Sequence, residues 1–250
     1  MLKVEFHSHT NYLHYNETTY SPKKLIDHAI KLGYDALCIT EHYSPIAVPE
    51  MYRKNPLKTY YDYKGYAEEK GLLLIPAVEF YFNEGEVLLI NIKEKDLMNI
   101  LQFDDLKNLP KTVLKVAPHP YYKMSCCLME DLERNIDLFD GIEYSYYYTN
   151  FFNNANKKAK AVANGFGKSL IGTSDLHDLR WMGYTYTIVD AEKNIDSIVK
   201  AVKEGRVNLV TRPLPYKLYS YVTYFHSLKN PWKLLFKIKR EFTLRTLKSS

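Results

Sequence analysis

The sequence predicts an α/β barrel in which short buried strands alternate with helices. Seven runs of mostly apolar residues have the length and continuous hydrophobicity of strands that are covered on both faces. Helical segments lie between these runs, and several of them are followed by a glycine. Seven alternations with short connections are typical of one parallel, barrel-like sheet. The predicted strands are 2–7, 35–40, 72–79, 86–92, 113–117, 141–145 and 169–173.

The first predicted helix shows how the sequence encodes helix ends. Ser21 and Pro22 are an N-cap residue followed by a first-turn proline, and Gly33 closes the segment. Between them, apolar residues mark one face at helical spacing: Leu25, Ile26, Ala29 and Ile30. Further helices are predicted at 60–70, 95–107, 128–139, 153–164 and 195–204.

Length and composition are those of a single soluble α/β barrel. The chain has 250 residues, of which 46% are hydrophobic and 25% are charged, and one such barrel commonly needs about this length. Three cysteines, with Cys126 and Cys127 adjacent, exclude a disulfide framework and indicate a reducing compartment. The first residues do not resemble a signal peptide, so we expect a cytoplasmic protein.

The positive charge is concentrated at the C-terminus. The whole chain carries +5, while seven basic residues and one acid give 229–250 a charge of +6, which leaves 1–228 at −1. We therefore predict a barrel over 1–212 and a basic, aromatic, helical tail over 213–250. On a helical wheel the tail's apolar residues occupy one half: Trp232, Leu235, Phe236, Ile238, Phe242 and Leu247.

Histidines and acids gather where the predicted strands end. His7 and His9 are separated by one residue, so on a strand they face the same side. In a parallel barrel the carboxyl ends of all strands meet at one rim, where the active sites of such folds lie. Six of the eight histidines fall at or just beyond strand ends, together with two carboxylates; the eight residues are His7, His9, His14, His42, Glu79, His119, Asp175 and His177.

This set of donors indicates a metal site. Imidazole and carboxylate without thiolate suit Zn²⁺, Mn²⁺ or Fe²⁺ better than Mg²⁺ or Ca²⁺, which prefer oxygen ligands. Eight ligands are too many for one ion, so we expect two or three, bridged by a carboxylate such as Glu79 or Asp175. Such clusters generate hydroxide and stabilise both oxygens of a displacement at phosphorus, which predicts phosphoester hydrolysis. The sequence shows no nucleophile elbow, P-loop or dinucleotide-binding glycine motif.

Five motifs in register resemble the PHP (polymerase and histidinol phosphatase) family of metal-dependent phosphoesterases. The resemblance covers about 1–212 and implies a distorted seven-stranded (β/α) barrel with a dinuclear or trinuclear metal cluster. The motifs are His-Ser-His-Thr at 7–10, Ile-Thr-Glu-His at 39–42, Ile-Pro-Ala-Val-Glu at 75–79, Ala-Pro-His-Pro-Tyr at 117–121 and Gly-Thr-Ser-Asp-Leu-His at 172–177.

The resemblance also implies a role for each ligand. The first metal would be held by His7, His9, Glu79 and Asp175, with Glu79 bridging to a second metal that His119 also holds. A third metal would be held by His14, His42 and His177. Glu79, Asp175 and His177 are the candidate catalytic residues.

Two positions depart from the family pattern, and a third residue is a candidate substrate contact. Leu88 stands where the family often has a histidine, so the second metal lacks a ligand unless water, Asn91 or a cysteine replaces it. Glu41 replaces the usual aspartate before His42, and we expect it to orient an imidazole from outside the ligand set. Arg180, after His177, is a candidate to bind a substrate phosphate by a bidentate contact, although a solvated arginine would have the same sequence pattern.

Alternatives remain at the level of function and partners. We expect a phosphorylated small molecule or nucleotide as substrate; a nuclease or nucleotide phosphatase acting on nucleic-acid ends is one alternative. A catalytically degenerate barrel that serves as a scaffold or a nucleic-acid-binding subunit is another. The tail could pack on the barrel, contact a second subunit, lie on an anionic membrane surface or bind nucleic acid. The sequence leaves the oligomeric state open.

Overall fold

Short buried strands form one sheet that nearly closes on itself. The computed structural model describes residues 1–14, 18–45, 54–124 and 126–228, and the side chains of these residues up to 225. In the described residues the strands are β1 (Leu2–Glu5), β2 (Ala36–Ile39), β3 (His42–Tyr43), β4 (Leu73–Tyr81), β5 (Glu86–Ile90), β6 (Leu114–Ala117), β7 (Gly141–Ser145), β8 (Ser169–Thr173), β9 (Thr185–Val189) and β10 (Val207–Thr211).

The sheet has the order β10-β9-β1-β2-β4-β5-β6-β7-β8, and β3 pairs with β4 beside this path. The far edge returns to the near one, because β8 packs against both β9 and β10. The predicted mixed α/β, barrel-like architecture is therefore confirmed. The part of the chain that is described has three more strands than the seven predicted, namely β3, β9 and β10.

One predicted strand runs in the opposite direction to the prediction. β1, β2, β4, β6, β7 and β8 share one direction, whereas β5 is antiparallel to both β4 and β6. The prediction that 86–92 is a parallel strand was wrong. The reason is the connection: Phe82 N–H donates to the Gly85 carbonyl at 3.0 Å, forming a tight hairpin turn that is too short for a parallel crossover.

Helices cover the outside of the sheet. In the described residues these are α1 (Pro22–Lys31), α2 (Lys58–Glu69), α3 (Glu94–Leu97), α4 (Glu130–Arg134), α5 (Asn154–Gly165), α6 (Ile195–Lys203) and α7 (Tyr216–Leu228). Ser21 caps α1 as expected, by accepting a hydrogen bond from Lys24 N–H. Short 3-10 helices lie at Phe103–Asn108, Ile136–Leu138 and Leu179–Trp181.

Two predicted helices are interrupted. The segment predicted over 95–107 ends at Leu97 and restarts at Phe103, because the Asp105 carboxylate accepts the backbone N–H groups of Leu101 and Gln102 at 2.9 Å and caps a new turn. The segment predicted over 128–139 is divided in the same way, into α4 and the 3-10 helix at Ile136–Leu138.

The seam of the barrel lies at Gly172. A Cβ atom there would come within 2.7 Å of the Tyr186 carbonyl oxygen, so a side chain would push β8 away from β9. The hydroxyl of Thr187 on β9 donates to the Gly172 carbonyl at 2.9 Å and joins the two strands across the seam. Inside the barrel the core is apolar below the rim, with fully buried Val4, Phe6 and Leu88.

The described chain ends in α7. Val222 and Phe225 of this helix are buried in the cluster that contains Tyr146 and Trp181. The predicted basic segment 229–250 lies outside the described residues, so its helical character stays a prediction. Within the described ranges, the helices are all too short or too polar to cross a membrane.

Candidate metal centre

The ends of β1, β4 and β8 bring four predicted ligands together at one rim. His7 and His9 follow β1, Glu79 lies near the end of β4, and Asp175 follows β8. The segment after β8 is fastened to the segment after β1: His9 N–H donates to the Leu176 carbonyl at 3.1 Å, and Leu176 N–H donates to the His7 carbonyl at 3.2 Å. The backbone thus fixes both halves of this donor set.

The four donors are spaced as ligands of one ion would be. Nε2 of His7 lies 3.2 Å from Oε1 of Glu79 and 3.4 Å from Oδ1 of Asp175. Nε2 of His9 lies 3.4 Å from Oε2 of Glu79 and 3.3 Å from the same Asp175 oxygen. Ligands about 2.1 Å from a tetrahedral ion are about 3.4 Å apart, so the spacing fits a transition metal.

Burial supports the same interpretation. The His7, His9 and Glu79 side chains are 0–1% exposed. Among the described residues, Nε2 of His7 and Nε2 of His9 are buried without a well-oriented hydrogen bond, and the Glu79 carboxylate contacts only imidazole nitrogens. Buried polar atoms left in this way cost stability unless something binds them. A divalent cation bound by these atoms would satisfy all of them, so the donor set fits the metal that the sequence predicts.

A second group of donors surrounds His119. Its Nε2 lies 3.3 Å from Oε1 of Glu79 and 3.4 Å from Oε2 of Glu86. Nδ1 of His42 lies 2.8 Å from Oε2 of Glu79 and 3.7 Å from Oε1 of Glu86. Glu79 therefore stands between the two groups, where a bridging carboxylate would lie. Glu86 was not among the predicted ligands.

Because of the direction of β5, Glu86 lies at the site, whereas Leu88, where the family often has a histidine, does not. Leu88 pairs directly with Glu79 across the β4–β5 hairpin and is fully buried in the apolar core. Because β5 is antiparallel, its first residue, not its last, lies at the rim, opposite Tyr81. Glu86 faces the same side as Leu88 one pleat higher, which places its carboxylate beside His42 and His119. Asn91, proposed as a substitute ligand, lies at the other end of the strand and donates to the Thr112 carbonyl.

The rings of His42 and His177 lie next to that of His9, with centroids 4.6 and 4.4 Å away. One ring nitrogen from each of these three histidines lies within 4.8 Å of the other two, so the three could hold an ion. The buried His14 is next to this group: its Nε2 donates to the His42 carbonyl at 3.1 Å, and its ring centroid is 6.5 Å from that of His42. The assignment of His14, His42 and His177 to a third metal stays a prediction.

Electrostatics differ among the ligands. Burial lowers the pKa of His7, but the carboxylates of Glu79, Asp175 and Glu143 outweigh it and hold the pKa well above its usual value. Burial, with His177 nearby, lowers the pKa of His9 to about 3. Burial raises the pKa of Glu79, but the imidazoles of His7 and His42 reverse this and leave it well below its usual value. The carboxylate is therefore ionised, and His9 is neutral, as metal binding requires.

Partners outside the ligand set orient two of the imidazoles. Nδ1 of His7 donates to Oε2 of Glu143 at 2.8 Å, and Glu143 is fully buried. Nδ1 of His119 lies 3.6 Å from Sγ of Cys127. Such partners fix the tautomer and the ring orientation of a ligating histidine. No role was predicted for Glu143 from the sequence. Cys127 contacts His119 at Nδ1, whereas Glu79 lies beside the other ring nitrogen.

Two predicted supporting residues have other described partners. Glu41 accepts hydrogen bonds from the hydroxyls of Thr10 and Thr59, the latter at 3.3 Å. The guanidinium of Arg180 donates to both Asp178 carboxylate oxygens, at 2.9 and 2.6 Å, and lies 4.0 Å from the centroid of the Tyr221 ring. The roles of Glu41 in orienting an imidazole and of Arg180 in binding phosphate stay predictions.

Comparisons with known proteins agree with this geometry. The sequence matches the family model of the PHP domain over residues 5–173 and a model described as PHP-associated over residues 153–207. A search of curated proteins finds no match.

The fold is similar to two solved structures. One is a two-domain protein from Bacteroides vulgatus ATCC 8482 described as containing a predicted PHP-like metal-dependent phosphoesterase, with 21% identity, a TM-score of 0.64 and coverage of 84% of this chain and 65% of that one. The other is PsfC from Pseudomonas syringae PB-5123, with 16% identity, a TM-score of 0.59 and coverage of 97% and 98%. This chain thus spans about two thirds of the length of the Bacteroides protein, and at these identities the likeness is one of fold. Since the PHP model alone covers well over half of the sequence, the chain belongs to the PHP domain family.

Proposed function

We propose that this protein is a metal-dependent hydrolase that cleaves a phosphomonoester or phosphodiester. The proposal is carried by one observation: Nε2 of His7 and of His9 lie 3.2–3.4 Å from carboxylate oxygens of Glu79 and Asp175, in a buried, preformed set. Divalent ions in such a set supply an acidified water and positive charge for the phosphoryl oxygens. Two or three Zn²⁺, Mn²⁺ or Fe²⁺ ions fit the number and type of donors.

Each residue then has a defined task. His7, His9 and Asp175 would hold the first ion, and Glu79 would be shared with a second ion, for which His119 and Glu86 would be the other ligands. Glu143 keeps the His7 ring in the orientation that directs Nε2 into the site. His42, His177 and His14 complete the outer part of the set.

Metal analysis paired with a substrate panel tests the proposal. We expect at least two equivalents of transition metal per chain in protein purified without chelator, and turnover of mono- or diesters of phosphate. Less than one equivalent, with no turnover after Mn²⁺ is added, would contradict the proposal and favour a scaffold role.

A single substitution tests the placement of the site. Asp175→Asn keeps the shape of the side chain, and Asn tolerates the positive φ of 38° at this position. It removes the charge of a carboxylate that lies within 3.4 Å of three histidines, so we expect loss of metal and at least about 100-fold loss of activity. The melting temperature in chelator should change little. Asp196→Asn, on exposed α6, is the matched control; retained metal and activity in Asp175→Asn would show that the site is misplaced.

A further inference from the structure

A cleft lies directly beside the candidate metal centre. It is an open depression, not an enclosed cavity, and it includes His119 and Asp175 in its wall. A group in this cleft is therefore next to two of the proposed metal ligands, where the leaving group of a phosphoester bound to the ions would lie. The rest of its wall is Tyr122, Met124, Ser145, Tyr146 and Tyr147.

Two of the three tyrosines in this wall, Tyr122 and Tyr147, direct their hydroxyls to other partners, and the ring of Tyr146 stacks on Trp181 with the centroids 5.4 Å apart. The Tyr122 hydroxyl donates to the Tyr147 carbonyl at 2.8 Å. The Tyr147 hydroxyl is hydrogen-bonded to Thr223 Oγ1 at 2.6 Å, and its ring stacks on Tyr219 with the centroids 4.7 Å apart and the planes 9° from parallel. The surface that these residues present to a ligand is therefore the apolar face of their rings, which is already fixed before a ligand binds.

The charge of the wall limits the ligand further. Apart from His119 and Asp175, the described residues that line the cleft are uncharged, and none of them is a lysine or arginine. The described part of this wall therefore offers no lysine or arginine to a second phosphate or a carboxylate on the leaving group. The Met124 side chain, 38% exposed, adds a polarisable thioether that contacts aromatic ligands favourably.

We infer that this cleft binds an aromatic ring in the leaving group of the substrate, so that the enzyme prefers phosphoesters whose ring lies close to phosphorus. The inference rests on the proposed function and narrows it to a substrate class. The ring could come from an aryl or benzyl ester or from the base of a nucleotide, since both present a flat apolar face. A sugar bisphosphate or a phosphorylated carboxylic acid does not match this wall.

Calorimetric titration of the Mn²⁺-loaded full chain tests the inference without turnover. The ligands are methylphosphonate, cyclohexylmethylphosphonate and benzylphosphonate, which share a head group and differ in the attached group. We expect benzylphosphonate to bind about tenfold more tightly than methylphosphonate, and more tightly than the cyclohexyl compound. Adenosine 5′-thiomonophosphate is a fourth ligand; whether it or benzylphosphonate binds more tightly distinguishes a nucleotide from an ester with the ring near phosphorus.

Substitutions assign the preference to the cleft. Tyr147→Leu removes the ring and should reduce the preference for benzylphosphonate to less than threefold, whereas Tyr147→Phe keeps the ring and should retain it. Phe166→Ala removes an exposed ring elsewhere and should change nothing. If Tyr147→Leu fails to fold, Met124→Ala removes an exposed part of the same wall and should lower the preference.

The outcomes separate this inference from the proposed function. Equal affinity for the three phosphonates, or tightest binding of the cyclohexyl compound, would overturn the inference even if the protein held its metals and hydrolysed phosphoesters. Loss of metal binding and of all turnover would overturn the proposed function and the inference together. A preference that survives unchanged in both Tyr147→Leu and Met124→Ala would place the ring elsewhere and overturn the inference.

Discussion

Glu86 shows how one residue changes the expected composition of the site. Leu88, on β5, stands where the family often has a histidine, and its side chain is fully buried in the core. Glu86 lies with its two carboxylate oxygens 3.4 and 3.7 Å from ring nitrogens of His119 and His42. If Glu86 binds the proposed second ion, an oxygen donor in place of a nitrogen donor would add negative charge there and favour harder cations, such as Mn²⁺ or Fe²⁺.

Removing this carboxylate should empty one metal position and leave the other. For Glu86→Leu we expect the metal content to fall by about one equivalent per chain after dialysis, because His7, His9, Glu79 and Asp175 remain intact. Activity should fall at least about tenfold. Plasma mass spectrometry gives the stoichiometry, and Glu69→Leu, on exposed α2, is the control. Unchanged metal content in Glu86→Leu would remove Glu86 from the ligand set.

Glu5 gives a residue-scale prediction that depends on pH. Its side chain is fully buried and accepts hydrogen bonds from Ser174 N–H, Ser174 Oγ–H and His7 N–H. Burial raises the pKa of Glu5 from 4.5 to about 7. The folded state therefore holds a proton that the unfolded state releases between these values, so this group lowers stability as pH rises from about 4.5 to 7.

Glu5→Gln removes that dependence and keeps the acceptor for the two N–H groups. Relative to the original chain, the variant should gain stability between pH 5 and pH 8, by up to roughly 3 kcal/mol. Urea unfolding of chelator-treated protein at the two pH values measures the difference, and groups common to both proteins cancel. A difference that is independent of pH would show that Glu5 stays ionised throughout.

Sequence reasoning found the residues whose positions follow from strand periodicity. His7 and His9 share a face because they are two apart, and Glu79 and Asp175 follow buried runs that end at the same rim. Glu86 was missed because its position at the rim depends on the direction of β5, which the apolar run at 86–92 does not encode. Glu143 was given no role, because its contact with His7 joins residues 136 positions apart.

At the scale of elements, the closure of the barrel depends on the absence of a side chain. β8 packs against β9 and β10 at Gly172, where Leu209 and the Tyr186 carbonyl leave no room for a Cβ atom. The same glycine opens the motif that continues to Asp175 and His177. The seam and the candidate metal centre therefore share one short stretch of chain.

Gly172→Ala should separate the edges of the barrel. We expect a loss of about 1–3 kcal/mol in the free energy of unfolding, because the neighbouring backbone must shift. Gly165→Ala is the matched control: it lies at the end of α5 with no atom within 4 Å of the new Cβ, so helix propensity should leave stability unchanged or raise it by up to about 1 kcal/mol. Urea unfolding measures both, and equal effects would place the seam elsewhere.

The elements that sequence reasoning missed have recognisable physical causes. β10 alternates half-buried and exposed residues, so its Val-Asn-Leu-Val-Thr run lacks the continuous hydrophobicity used to find strands. β3 has two residues, and its first, His42, ends a motif that was interpreted as supplying a ligand. In the segment at 95–107 the apolar residues have a helical spacing. The Asp105 side chain nevertheless caps a new turn there, so the helix is interrupted.

At the scale of the whole molecule, the candidate metal centre brings several carboxylates and imidazoles together in one buried site. The pKa values of His7 and His119 are held well above their usual value. Burial lowers both, but nearby carboxylates outweigh it at His7, and Cys127 followed by Glu79 and Glu86 outweighs it at His119. Protons therefore occupy nitrogens that a metal would need. Binding of the ion must release them.

Metal affinity should therefore increase with pH through the neutral range. We expect Mn²⁺ to bind more tightly at pH 8 than at pH 6, with proton release on binding, and to raise the melting temperature more at pH 8. Calorimetry in buffers of different ionisation enthalpy measures the released protons. Affinity that is independent of pH would mean that the ring nitrogens are already deprotonated without the metal.

The fold class of the molecule was predicted from the sequence, whereas the number of strands and the direction of β5 differ from the prediction. Buried runs alternating with capped helices led to a mixed α/β barrel with a polar rim, and family membership followed from five motifs in register. Strand direction and closure were not accessible, because they are set by contacts between distant segments such as Ser8 with Leu176 and Gly172 with Thr187.

The length of the hairpin turn at Phe82–Gly85 determines which residue of β5 lies at the rim. In the present register Tyr81 pairs with Glu86 and Glu79 pairs with Leu88. A slip of two residues would keep every side chain on its face but would move Leu88 to the rim in place of Glu86. The length of this turn therefore determines whether a carboxylate or a leucine lies at the rim, so an insertion or deletion in the turn would change the proposed metal site without mutating any proposed ligand.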